Sequence, residues 1–509
     1  MNFSADDLKQ LKTLNIEPSK AARQLAWLRT GQVDIKLERP CTPGDGIVQI
    51  QPAAYDHLSK SFATAMANDR LRRFVPASGA ASRMFSQLHA DAAVLVSCRA
   101  AQPDSQASQT ELDLRRFLDK LTSFAFYPDL QNSMAEDGHD LGKAVAECDL
   151  ALIIRYLLES CGLSYARLPK GLLAFHLAPD GARTPFIEHL AEAALLNGLD
   201  GTVSLHFTVS EEHLPLFKAQ FVAWHDTIVA TYGCRFEVTY STQKPSTDTL
   251  ALDAVGQPLR NAAGNLVLRP GGHGALIENL NDQAGDIILV RNIDNVVPDA
   301  HKEANLVWTR LLTGYLLEVQ EEQYALSKAL HEQPNDPLVR ELVVAFLADR
   351  LQAEVSLTDE SKTLLDQLDR PLRVCGMVPN SGEPGGGPFW VRDAHGRVTR
   401  QIVEGAQIDK SSPDQMDILA QSTHFNPVDM VCGVSDWRGR PYDLTRFVDQ
   451  DAVIITTKTQ EGQQIRVLEL PGLWNGGMAG WHTLFVEIPP EAFNPAKTVF
   501  DLLRPAHQP

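Results

Sequence analysis

Apolar residues recur at helical spacing early in the chain, at Leu8, Leu11 and Leu14 and again at Leu25 and Leu28. An irregular piece with Pro40, Pro43 and Gly44 follows, so residues 1–70 read as a helical lead-in packed on a main domain. Phe74 and Val75 end a strand and run through the small-residue loop Pro76-Ala77-Ser78-Gly79-Ala80-Ala81-Ser82 into a helix start at Arg83-Met84. Residues 85–160 are mostly helical by pattern, with a polar break at 102–106 and a buried run at Leu150, Leu152, Ile153, Ile154 and Leu157. Pro185 sits in the first turn of a further helix, Val203–Val209 alternates as a strand, and Arg235–Tyr240 forms another. The apolar strand Ile287–Ile293 ends in Asp294-Asn295. A helical block over 301–370 breaks at Pro334-Asn335-Asp336-Pro337, and a loop-rich section completes the chain. Strands alternating with helices predict an α/β sheet whose ligands sit beyond the carboxyl ends of the strands.

The 509 residues are 44% hydrophobic, enough for a substantial core. Lysine and arginine number 46 against 64 acidic residues, a net charge of −18. That charge opposes general affinity for nucleic acid or an anionic membrane, so a phosphate-bearing ligand needs a local basic pocket. Seven cysteines are scattered with no C-x-x-C pair, which fits buried thiols in a reducing compartment better than disulfides or a zinc site. No basic-then-apolar leader and no apolar run of spanning length occur, so a cytoplasmic protein is expected. The pattern does not speak to oligomeric state.

Candidate chemistry concentrates in the loops. Ser78, Gly79 and Ala80 suit a phosphate cradle, where small residues admit a ligand to the backbone and the next helix turn offers N–H groups; Arg83 adds a planar fork of donors. Lys170 lies between Pro169 and Gly171 at the edge of an apolar run, and Gln243 and Lys244 follow a strand. Gly272, His273 and Gly274 form a glycine-rich turn, and Asp294 offers a carboxylate of the kind that holds Mg²⁺ together with phosphates and water. Glu383, Glu404, Asn426 and Asp429 stand in Gly- and aromatic-rich loops suited to a substrate face. Taken singly, each is equally at home in a turn, a cap or a solvated surface; His206 and His213 read as structural.

In order along the chain these pieces resemble the sugar-1-phosphate nucleotidylyltransferases of the GT-A-like class, most closely the UDP-sugar and UDP-N-acetylhexosamine pyrophosphorylases. Ser78–Arg83 resembles their nucleotide loop, Pro169-Lys170-Gly171 their Pro-Lys element, Pro270–Gly274 their Gly-His-Gly turn and Asp294-Asn295 their Asp-Asn pair. Gln243 stands where they place a glutamine near the base; Arg373–Gly376 and Ile402-Val403-Glu404 resemble the strand and Glu element that follow the Asp-Asn pair. Over nearly its whole length the chain also resembles an uncharacterised bacterial family described as a domain of unknown function.

The resemblance implies a Rossmann-like GT-A nucleotidyltransferase sheet with helical insertions. It divides the chain into a lead-in (1–70), a nucleotide-binding α/β domain (71–300) with a helical insertion at about 85–160, a helical block (301–370) and a sugar-binding and C-terminal part (371–509). The implied reaction moves a nucleoside monophosphate, in first place UMP, from a nucleoside triphosphate to a sugar-1-phosphate and releases pyrophosphate. Arg83 would meet the β and γ phosphates, Lys170 the α-phosphate and Asp294 the Mg²⁺. Ser78, Gly79, Ala80, Gln243, Gly272, His273 and Gly274 would bind the nucleotide, and Glu383, Glu404, Asn426 and Asp429 the sugar or a second metal position. The first loop departs from the family in having Ala80, Ala81 and Ser82 where Gly-x-Gly-Thr is usual, and the long stretch from Arg83 to Lys170 implies an inserted helical unit. The altered loop supports the alternative of a nucleotide- or sugar-nucleotide-sensing protein without turnover on the same fold.

Overall fold

The computed structural model describes residues 3–88, 108–198, 201–380, 382, 386–393, 396–426, 429–460 and 462–509. The chain folds as two compact units, each assembled from three chain segments. The first takes Met1–Phe74, Ser241–Val290 and Trp308–Pro490; the second takes Val75–Tyr240, Arg291–Val307 and Glu491–Pro509.

The first unit is built on a sheet whose strand order is Thr42–Pro43, Gly46–Val48, His482–Glu487, Leu372–Pro379, Met430–Gly433, Ile287–Val290, Leu71–Pro76. Met430–Gly433 runs antiparallel to both neighbours, while the other pairs in this run are parallel. Strands such as Ile287–Val290 and Leu372–Val378 are buried throughout, as expected of a parallel sheet covered on both faces. The mixed α/β architecture with a large, mostly parallel sheet agrees with the sequence pattern. The expected irregular piece near Pro40 instead forms short strands, Lys36–Pro40 and Gly46–Val48, because each finds a partner far along the chain: Leu37 pairs with Val391 and Ile47 with Phe485. The first helix, Ala5–Thr13, starts with a capping box between Ser4 and Asp7, and Asp7 also takes a two-pronged bond from Arg260.

In the second unit the strands Thr202–Val209 and Arg235–Thr242 lie side by side, and Ala77 N–H donates to Thr208 C=O at 2.7 Å. Their apolar faces pack with Phe186, Ile187 and Leu190 of the helix Pro185–Asn197. That helix begins as its sequence dictates, with Thr184 accepting from Ile187 N–H and Pro185 in the first turn, and it stops at Gly198, whose φ is +76°. A separate apolar core joins the helices Gln109–Asp119, Tyr127–Glu136, Leu141–Ala146 and Leu150–Leu158 to Val499, Phe500 and Leu502 near the C-terminus.

Two expected boundaries move. After the small-residue loop comes a 3₁₀ helix, Ser82–Leu88, rather than an α-helix. The strand expected to reach Ile293 stops at Val290, because the carbonyls of Asn292 and Ile293 are taken by the His189 ring at 3.1 and 3.3 Å. Cys41, Cys234, Cys375 and Cys432 are buried free thiols as expected, but Cys161 is exposed; Cys98 lies outside the described residues. No described helix is long and apolar enough to cross a membrane.

Candidate functional site

In the second unit the small-residue loop is zipped to the Lys170 segment. Ala81 N–H donates to Leu168 C=O and Lys170 N–H to Gly79 C=O, both at 3.1 Å, with Ala80 and Pro169 facing each other as an antiparallel bridge. This arrangement uses outward-turned carbonyls and leaves the N–H groups of Ser78, Gly79 and Ala80 without a backbone partner among the described residues. Gly79 and Ala80 are exposed, and a Cβ on Gly79 would meet nothing within 4 Å, so the space in front of the loop is open. Successive unpaired N–H groups beside open space are what an anion requires of a backbone. Arg83 is exposed in the 3₁₀ helix that follows.

Gly171 packs so tightly on Phe217 and Ile293 that a Cβ would lie 3.1 Å from the ring, which fixes the backbone from which Lys170 projects. The Lys170 ammonium donates to Asp294 Oδ2 at 2.8 Å and to Ala496 C=O at 3.1 Å, with both charged side chains less than one-fifth exposed. The turn carrying Asp294 is held from behind: Arg291 bonds Glu192 and, at 3.3 Å, Asn295 C=O, while Asn295 Oδ1 accepts from Asn494 N–H at 2.9 Å. Sequence reasoning missed Glu192, His189 and Ala496. The first two carried a signal, since Glu188, His189 and Glu192 interrupt an otherwise apolar helix; Ala496 acts through its backbone and carried none.

Asp294 does not sit in a ready-made cage for Mg²⁺. Its Oδ2 is taken by Lys170, and among the described residues no three His, Cys, Asp or Glu side chains gather where an ion could be held.

In the first unit the turn Gly271–Gly274 is compressed against its surroundings. A Cβ on Gly271 would lie 2.7 Å from Thr247 C=O and one on Gly274 2.6 Å from Leu470 C=O, while Gly272 takes the left-handed conformation, φ +59°. Gln243 Nε2 donates to Gly272 C=O at 3.0 Å, so the expected base-side residues do meet. The His273 ring stands edge-on to Trp474, with centroids 6.0 Å apart, and Gly472 lies against it where a Cβ would come within 2.7 Å. His273 Nε2 is buried and makes no hydrogen bond among the described residues, with Glu469 Oε2 4.0 Å away.

Glu404 ends the strand Val398–Glu404, and its Oε1 accepts from Asn475 Nδ2 at 2.7 Å; Asn475 is itself fixed by Gly472 N–H at 2.8 Å. Burial pushes the Glu404 carboxyl up from its ordinary range, the nearby His273 opposes this, and the Glu469 charge adds to it. Asn426 approaches the same strand end: its N–H donates to Gly386 C=O, and Gly386 is the cross-strand partner of Glu404. Asp429 C=O accepts from Gly376 N–H. Lys244 is engaged by Asp282 at 2.6 Å, and Glu383 lies outside the described residues. Glu469 and Asn475 both stand in the loop-rich section that completes the chain, but neither was named there as a site residue, and nothing local ties Asn475 to Glu404.

The chain belongs to the family described as a domain of unknown function (DUF4301), whose pattern it matches over residues 4–508. A comparison with curated proteins finds no match. Among solved structures it is similar to UDP-glucose pyrophosphorylase from Leishmania major in complex with UDP-glucose, at 12% identity and a TM-score of 0.43, over 99% of this chain and 79% of that one. It is similar to the uridine diphosphate N-acetylglucosamine pyrophosphorylase from Trypanosoma brucei at 12% identity and a TM-score of 0.48, over 98% and 79%.

Proposed function

We propose that this DUF4301 protein is a sugar-1-phosphate nucleotidylyltransferase: it transfers a nucleoside monophosphate, in first place UMP, to a sugar-1-phosphate and releases pyrophosphate. The observation that carries the reading is the joining of Lys170 to both the small-residue loop and Asp294, through Gly79 C=O and Asp294 Oδ2. Three elements from distant parts of the chain thereby place an ammonium, a carboxylate and unpaired N–H groups together in the second unit.

A phosphate oxygen of the sugar-1-phosphate attacks the α-phosphorus in line. The new P–O bond forms as the bond to pyrophosphate breaks, and the leaving group carries the electron pair away. Such transfer needs no covalent intermediate on the protein, only positioning and charge neutralisation. In the second unit, Lys170, held by Asp294 and Ala496 C=O through two of its three N–H donors, would give the third to an α-phosphate oxygen, while Ser78–Ala80 N–H groups and Arg83 take the β and γ phosphates. Gln243, Gly272, His273 and Glu404 keep their base, ribose and sugar roles as what the family resemblance implies.

The test is pyrophosphate release across a grid of nucleoside triphosphates and sugar-1-phosphates, with Lys170→Met and Asp294→Asn alongside. Release that requires one member of each class and collapses in Lys170→Met is expected. The second reading, a nucleotide-binding protein without turnover, draws on the fact that Lys170 is already neutralised by Asp294. Nucleotide heats in calorimetry with no pyrophosphate from any pair would select it.

A further inference from the structure

The first unit holds a partly open cavity of about 1260 Å³ whose lining includes none of Lys170, Asp294, His273 or Glu404. Its volume is ample for a metabolite, since small-molecule sites commonly measure roughly 300–1,000 Å³. Arg392 and Arg397 of the lining are paired with Glu38 and Asp393; what distinguishes the cavity is Arg400 and Arg370. Arg400 lines the cavity at 6% exposure; among the described residues its guanidinium bonds only Leu351 C=O, at 2.8 Å, and it stands 5.7 Å from the Trp390 ring. Arg370, half-buried and also in the lining, has among the described residues only the Asp366 backbone carbonyl as hydrogen-bond acceptor, at 3.3 Å. Among the described residues neither makes an ion pair. Behind the wall Arg373, 1% exposed, bonds the cavity residue Thr483 and Leu473 C=O, again without a carboxylate.

Burial acts on both guanidinium groups. Burial holds Arg400 down to about 10, and burial together with the Arg397 charge lowers Arg370, offset only in part by Asp366. His482, also on the wall, is held neutral by burial and by the charges of Arg370 and Arg400, its Nε2 donating to Gln367 C=O at 2.6 Å. Asp34, Glu354, Asp366, Asp369, Asp393, Asp443, Asp449 and Asp451 also line the cavity, but among the described residues only the Asp366 charge acts on either guanidinium, on Arg370. Asp393 is paired with Arg397 at 2.7 Å, Asp451 accepts from Trp27 Nε1, and Asp369 accepts from Tyr442. Burial pushes the Asp449 carboxyl towards its neutral form. In a chain of net charge −18, guanidinium groups buried without carboxylates need an explanation, because an uncompensated buried charge is costly and carboxylates are plentiful.

We propose that this cavity is a binding site for a small organic oxyanion, a phosphate ester or a polycarboxylate, held by Arg400 and Arg370. Arg400 supplies the buried anchor, Arg370 the second fork, and the Arg373 charge favours the anion from behind. The site is separate in its residues from those assigned to nucleotide transfer, so it stands or falls independently of that assignment.

The experiment uses the full-length protein with inorganic phosphate and citrate as probes, read by thermal shift and titration calorimetry. Saturable stabilisation by at least one probe is expected, and the stronger of the two identifies the source. Affinity should fall at least tenfold in Arg400→Met and in Arg370→Met and be only partly restored in Arg400→Lys, whose ammonium cannot make the planar two-pronged contact. Without probe, Arg400→Met should melt no lower than the parent, since it removes a buried charge that lacks a partner. Should Arg400→Met fail to fold, Arg370→Met decides alone. Arg83→Met must leave the response intact; a response lost there places the anion on the nucleotide loop and overturns the proposal. So does absence of stabilisation by either probe, or stabilisation that persists in both methionine variants.

Discussion

Lys170 shows how one residue is fixed by sequence neighbours and then given its partners by the fold. Pro169 and Gly171 mark its position, but Asp294 and Ala496 reach it from far along the chain. Replacing it with methionine leaves the Asp294 carboxylate, 17% exposed, without its ammonium. The expected cost is about 1–3 kcal/mol in a denaturant melt. Pyrophosphate release should fall on the order of a hundredfold or more, the scale of a lost electrostatic contact to a reacting phosphate. A loss of activity no larger than the unfolded fraction explains would make the pair purely structural. Asn475 is the contrasting case. It holds Glu404 by a bond of 2.7 Å, yet the residues around it look like any tight turn. Asn475→Ala should therefore raise the KM for sugar-1-phosphate and leave that for the nucleotide unchanged, measured by initial rates in the same assay.

At the scale of elements, the Gly271–Gly274 turn makes a graded prediction. Gly274→Ala drives a Cβ onto the Leu470 carbonyl, so the backbone itself has to shift, whereas Gly272→Ala meets open space and suffers only from φ +59°. Gly272→Ala should cost about 1 kcal/mol and Gly274→Ala distinctly more, a ranking read from the two melting curves. The C-terminal 3₁₀ turn Pro505–His507 predicts a pH dependence. His507 Nδ1 meets His176 Nε2 at 2.9 Å, and His176 Nδ1 meets Glu188. Burial, with the charges of His176 and Arg504 and against that of Asp501, holds His507 down to about 3. Its folded value lies below the unfolded value near 6.5, so its stabilisation is complete above that pH and fades as pH falls towards 3. Between pH 7 and 5 this one group should account for about 2 kcal/mol, and His507→Gln should flatten that part of the stability profile. The turn's existence was not legible in the sequence, because His507 looks like a solvated terminal residue until His176 is placed beside it.

At the scale of the molecule, each unit has its own apolar cores, and the segments assigned to phosphate contact belong to the second. A cavity there, made by Phe207→Ala at a fully buried position, should cost about 3–5 kcal/mol and lower the transition that nucleotide raises in differential scanning calorimetry. If nucleotide instead protects only a transition that Phe207→Ala leaves untouched, the phosphates are not held in the second unit.

The sequence by itself determined the α/β class, the helix start at Thr184-Pro185, the break at 334–337, and the turns bearing Lys170, His273 and Asp294, because periodicity, caps and glycine requirements are properties of neighbouring residues. It could not determine that the chain returns twice to each unit, that Lys170 would occupy the carboxylate expected to hold Mg²⁺, or that Arg400 and Arg370 would line one cavity without counter-charges. Those facts arise from contacts between residues distant in sequence, and such contacts leave no local periodicity or spacing. Only the tertiary structure sets which charges meet, how far each is withdrawn from water, and which remain unpaired.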